Sequence, residues 1–135
     1  MFSSAIAAML LMGSAPAEVR VDVGRIDLAR LPSVEPRAMN LPTPGMVAQV
    51  EQILGEGKCK LRGQSKAKFD IDVSYAILLH PDGSASRVVV SEMGCPEIES
   101  LAGLVVLELA RQREFDTTGQ AKARWFGSTL NFNLQ

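Results

Sequence analysis

The segment Phe69-Asp70-Ile71-Asp72-Val73-Ser74-Tyr75-Ala76-Ile77-Leu78-Leu79 decides the fold. Phe69, Ile71, Val73, Tyr75 and Ile77 alternate with Asp70, Asp72, Ser74 and Ala76. A period of two sends these sets to opposite sides of a pleated strand, so the segment reads as a half-buried β-strand with one polar face. It runs into His80-Pro81-Asp82-Gly83-Ser84. There proline presets φ and glycine accepts a positive φ, which is the chemistry of a turn. A second strand follows from Ala85 to Glu92, centred on Val88, Val89 and Val90. Together the two form a β-hairpin.

Working outward, Met46, Val47, Val50, Ile53 and Leu54 recur on one face of a helix, which Gly55 and Gly57 terminate. Downstream, Gly94-Cys95-Pro96-Glu97-Ile98-Glu99 opens another helix, with Pro96 suited to its first position and the acids to its positive end. Ile98, Leu101, Ala102, Val105 and Leu109 line its apolar face, and Leu104 widens it. Gly103 costs this helix about 1 kcal/mol in propensity unless it permits a close approach to the sheet. After a turn at Asp116 to Gly119, Arg124 to Leu134 reads as a last strand, with Phe126, Ser128, Leu130, Phe132 and Leu134 on one face. The order helix, strand, strand, helix, strand predicts an α+β domain. Its expected sheet is three-stranded and antiparallel in the order 2-1-3, with the Phe69 strand central and both helices on the apolar face.

The N-terminal third differs. Met1 to Ala17 carries no charge, and its run Ala5 to Met12 is followed by Ala15-x-Ala17. An apolar stretch with a small-x-small site is the pattern of a cleaved secretory signal, here ending at residue 17. An uncleaved inner-membrane anchor, although a span needs about 20 apolar residues, and an ordinary buried segment are the alternatives. Residues 18–45 hold Val19, Val21 and Val23 in alternation with Arg20 and Asp22, one short strand, and then four prolines within thirteen residues, Pro32 to Pro44. They read as an extended arm or linker laid along a globular unit of residues 46–135. Cys59 and Cys95 lack Cys-x-x-Cys spacing, so in an oxidising compartment a disulfide is expected, against two buried thiols or a metal site as alternatives.

The 135 residues are 47% hydrophobic, with 14 basic and 15 acidic side chains. That supports one core and excludes a disordered chain, and the balanced charge argues against a nucleic-acid binder. The lone histidine, His80, sits in a turn, and Asp70 and Asp72 have the spacing of any solvent-facing strand. No phosphate loop, dinucleotide fingerprint or zinc motif is present, so neither an enzyme nor a cofactor is expected, a hydrolase that brings a Ser or Cys to His80 being the alternative. Lys58, Lys60, Arg62, Lys66 and Lys68 place five positive charges in eleven residues. They read as a solvated loop, or as an anion patch gripping envelope polysaccharide or lipid.

Over roughly Gly57 to Leu134 the chain resembles the TonB C-terminal domain family. The resemblance rests on the strand Phe69 to Leu79, Asp82-Gly83, Val88-Val89-Val90, Ser91-Glu92-Met93-Gly94, the helix Pro96 to Arg113, the exit Arg113-Glu114-Phe115, Gly119 and the closing strand. A Tyr-Pro pair common ahead of that family's first helix is missing, and Asp116 stands where a proline is usual. The resemblance implies a periplasmic protein that takes an extended segment of an outer-membrane receptor, or of another envelope protein, onto a sheet edge. With the last strand at an edge, Arg124, Phe126, Ser128, Leu130 and Asn131 are the expected partner-binding residues. The edge is alternatively covered by the 18–45 arm, or by a second copy of the chain.

Overall fold

A computed structural model of the chain describes residues 19–37, 41–57, 59 and 69–134. The expected leader of residues 1–17, and Lys58, Lys60, Arg62, Lys66 and Lys68 of the expected anion patch, lie outside them. In chain order the elements are β1 (Arg20–Gly24), a single 3-10 turn (Leu28–Arg30), α1 (Pro44–Gly55), β2 (Phe69–Leu79), β3 (Ala85–Ser91), α2 (Pro96–Arg111) and β4 (Arg124–Leu134).

The α+β class is as the sequence indicates, but the sheet is four-stranded and mixed, in the order β1-β3-β2-β4. Its antiparallel part keeps β2 central: Ile77 faces Val88 on one side and Phe126 on the other. The difference is β1, which pairs in parallel with β3, from Arg20 opposite Arg87 to Gly24 opposite Ser91. A short alternating segment states which of its faces is apolar but not which strand it joins. That choice is made by α2, where a Cβ on Gly103 would come 2.8 Å from Val21 Cγ1 and 3.6 Å from Val90 Cγ2. The glycine that weakens the helix is what lets it lie flat on β1 and β3.

The hairpin turn closes through the Gly83 N–H donating to the His80 carbonyl at 2.9 Å, with φ of 87° at Gly83. The Asp82 carboxylate accepts from the Ser84 hydroxyl (2.6 Å) and the Ser84 N–H (2.9 Å), which hold its carboxyl below the usual range. Helix α1 starts earlier than its apolar spacing suggests, because Thr43 caps it and Pro44 occupies its first turn. The boundary read at residue 45/46 therefore falls inside a helix.

Ile71, Val73, Tyr75, Ile77 and Leu79 of β2 form the floor of one continuous core. Val50 of α1 and Ile98, Ala102, Val105 and Leu109 of α2 cover it, so both helices lie on that face. Each such fully buried aliphatic side chain contributes about 1.5 to 3 kcal/mol of transfer free energy. At its start α2 has Cys95 as the capping residue, without a side-chain cap. The nearby loop is instead fixed by Glu99, whose carboxylate accepts from the N–H groups of Met93 (2.7 Å) and Gly94 (3.1 Å). At its end Arg113 adopts a φ of 57°, and the N–H groups of Arg113 and Glu114 donate back to Ala110 and Leu109. This left-handed reversal directs Phe115 into the core.

The segment between β1 and α1 is a strap across the domain rather than a free linker. After β1, Arg25, Ile26 and Leu31 border a shallow hollow with Ala76, Val89 and Trp125, on the sheet face opposite the helices. The strap then reaches the outer edge of β4, where Gly127 donates to the Pro32 carbonyl (2.9 Å) and accepts from the Val34 N–H (3.3 Å). A Cβ on Gly127 would meet Leu28 Cδ2 at 2.8 Å and Leu31 Cδ1 at 3.1 Å, so only glycine lets the strap lie this close. Beyond that edge, Arg37 N–H donates to the Glu114 carbonyl and Pro36 bridges to Phe115. Val34 and Leu41 are buried in the main core.

Candidate functional site

Strand β4 is the outermost strand beside β2, and its free side is only partly covered. Gly127 turns its backbone groups outward, since both bond to the strap. Alternation along an unbroken ladder then turns those of Thr129 and Asn131 outward too, and those of Arg124, Phe126, Ser128 and Leu130 inward to β2. Among the described residues nothing pairs with the outward groups of Thr129 and Asn131. Among the described residues, the strap's backbone pairing with this edge is confined to the bridge at Gly127.

Beside the uncovered stretch lies an open cleft of about 570 Å³, walled by the strap, by α1 and by β4. Its apolar lining comes from Pro36, Pro42, Val47 and Leu130, among others, and its charges are the carboxylates Glu35 and Glu51. Among the described residues, no lysine or arginine lines it. At its base, the Ser128 hydroxyl donates to Glu35 Oε1 at 3.4 Å and is hydrogen-bonded to the buried Tyr75. The cleft thus combines unpaired backbone groups, apolar walls and a negative rim.

The five residues expected at the partner edge have different placements. Leu130 and Asn131 line the cleft. Leu130 is buried, and Asn131 is exposed, with its amide donating to Asp72 Oδ1 at 2.7 Å. Ser128 is buried beneath Glu35. Arg124 and Phe126 lie before the strap bridge and outside the cleft lining, with the guanidinium 5.7 Å over the phenyl ring. Sequence reasoning missed Glu35, Pro42, Val47 and Glu51, because the strap and α1 bring them there, and Tyr75, which β2 presents beneath them. The signal available was Gly127, a lone glycine within a strand, which marks close approach by another backbone.

Cys59 and Cys95 form the expected disulfide, with Cα atoms 5.2 Å apart. Glu97 brings a carboxylate within 4.8 Å of both sulfurs, but each sulfur is spent on the other. Among the described residues His80 is held by its backbone in the hairpin turn, its N–H donating to the Ser84 carbonyl and its carbonyl accepting from Gly83. No described helix is long and apolar enough to cross a membrane.

Burial pushes the Tyr75 phenol up to about 12, the Glu35 carboxylate adds to the rise, and the Ser128 hydrogen bond opposes it. A folded value above the unfolded value of about 10 favours the neutral phenol in the native state. The contribution is complete below pH ~10 and is lost as pH climbs toward ~12, about 2 to 3 kcal/mol in all. Tyr75 is the single tyrosine of the chain, so phenolate absorbance during alkaline titration reports it alone. The Tyr75→Phe variant is expected to lose stability less steeply than the parent over this interval. Parallel pH–stability curves for the two proteins would contradict the assignment.

A search of protein-family profiles, of curated proteins and of solved structures finds nothing that matches this chain.

Proposed function

We propose that this chain is a non-enzymatic, exported interaction module of the TonB C-terminal type. It accepts an extended segment of an envelope protein, such as an outer-membrane receptor, as an added strand on the outer edge of β4. The observation that carries this reading is the run of outward-facing backbone groups at Thr129 and Asn131 beside an open cleft. An unpaired edge supplies main-chain hydrogen bonds to any extended peptide, and adjacent pockets select alternate side chains. The apolar walls suit a peptide with alternating aliphatic residues, and Glu35 and Glu51 favour a basic residue beside them. The disulfide is compatible with an oxidising periplasm.

The test uses ten-residue peptides selected by display against the purified protein. A selected peptide is expected to shift the amide signals of Thr129 and Asn131. Thr129→Pro removes one outward N–H without touching the ladder to β2, and is expected to weaken binding at least about tenfold. Shifts confined to another surface, or full binding by Thr129→Pro, would overturn the reading.

A further inference from the structure

At the opposite end of the sheet, β1 presents a second edge. The Gly24 carbonyl accepts from the Glu92 N–H at 3.0 Å, so Gly24, Asp22 and Arg20 turn their backbone groups inward to β3. Val19, Val21 and Val23 therefore turn theirs outward. Among the described residues, three large hydrophobic side chains stand exposed: Val21 at 38%, Val23 at 50% and Leu104 at 61%. All three belong to this edge, because Val21 packs on Gly103, the helix neighbour of Leu104. Scattered apolar residues on a surface need no explanation, but these three, gathered at a strand edge whose outer side no described residue pairs, do.

We propose that this edge is a homodimer interface, on which β1 of a second copy adds antiparallel about a two-fold axis through Val21. The sequence of β1 is self-complementary in that one register. Val21 lies opposite Val21 of the partner subunit, Val19 opposite Val23 of the partner subunit, and Arg20 opposite Asp22 of the partner subunit. The valines, with their outward backbone groups, form the hydrogen-bonded pairs, and all remain on the helix face beside Leu104. Moving the axis one residue, to Asp22, sets two aspartates directly opposite each other, which is destabilising. The overall net charge of −1 offers no self-repulsion against such pairing. The contact is isologous and closes at two copies. It joins two four-stranded sheets into one of eight strands and leaves both β4 edges, with their clefts, at the far ends.

Analytical ultracentrifugation of protein made from the whole 135-residue sequence tests the proposal. Over about 1 µM to 1 mM the parent is expected to shift from monomer to dimer. Val23→Lys and Arg20→Asp, both at exposed positions, are each expected to raise the dissociation constant at least about tenfold while circular dichroism stays unchanged. The double exchange R20D/D22R, made in an Arg87→Ala background because Arg87 pairs with Asp22 within the chain at 3.5 Å, restores the opposite-charge pairs and is expected to recover most of the dimer. A parent that stays monomeric throughout overturns the interface, as does a dimer indifferent to Val23→Lys and Arg20→Asp. A double exchange as weak as R20D alone overturns the Val21 axis. Thr129→Pro leaves this equilibrium untouched, so failure here is separate from failure at the β4 edge.

Discussion

Reduction of the Cys59–Cys95 bridge is expected to lower stability by about 3 to 4 kcal/mol. The bridge spans 36 positions of sequence, and opening it returns the conformational freedom of that loop to the unfolded chain. The same loop contains the whole of β2 and β3, so the cross-link restrains the hairpin at the centre of the sheet. It also ties the chain after α1 to the residue that caps α2. Urea denaturation with and without reductant measures the difference, and Cys59→Ala is expected to reproduce it. A shift below ~1 kcal/mol would mean that the loop is restrained in the unfolded chain by something other than the bridge.

Phe115→Ala is expected to cost about 3 to 5 kcal/mol, as large aromatic truncations in a packed core do. Phe115 is fully buried, with its ring centroid 6.4 Å from that of Tyr75. It also bridges to Pro36, next to the Arg37 N–H that donates to Glu114. The substitution empties part of the core against which Val34 of the strap is buried, while the backbone contacts at Pro36 and Arg37 remain available. Amide exchange at Val34 and Arg37, both bonded to the domain, is expected to accelerate more than global destabilisation alone requires. Against a total of about 5 to 15 kcal/mol for a domain, the variant retains a fold with little to spare. Equal acceleration at every slow amide would show that the strap opens only with the whole domain.

The central sheet and its helical cover were legible because each carries its own periodicity. Alternation from Phe69 to Ile77 marks β2, and the helical spacing from Ile98 to Leu109 marks α2. Glycines gave the finer points: Gly83 the turn, and Gly103 the close approach, whose partners prove to be Val21 and Val90. The parallel pairing of β1 was not legible, since Val19, Val21 and Val23 would suit any half-buried edge. Nor was the strap, whose prolines rule out a helix through Pro32 and Pro36 without saying where an extended chain goes. The cleft depended on both, as its carboxylate Glu35 rides on the strap and Glu51 on α1. Of the expected edge residues, Leu130 and Asn131 reached it because strand alternation continues past the strap bridge.

The strap also fixes an order of events in folding. Residues 20–37 are made before the rest of the domain, yet their docking surfaces are β3, Gly127 of the final strand and the Phe115 turn. Synthesis proceeds from the N-terminus, so these residues wait, unpartnered, until nearly the whole chain has appeared. Contacts so distant in sequence form late, after the hairpin and helices have assembled the surface that receives them. The first segment made is the last to settle, and until it does, both edges of the nascent three-stranded sheet stand open.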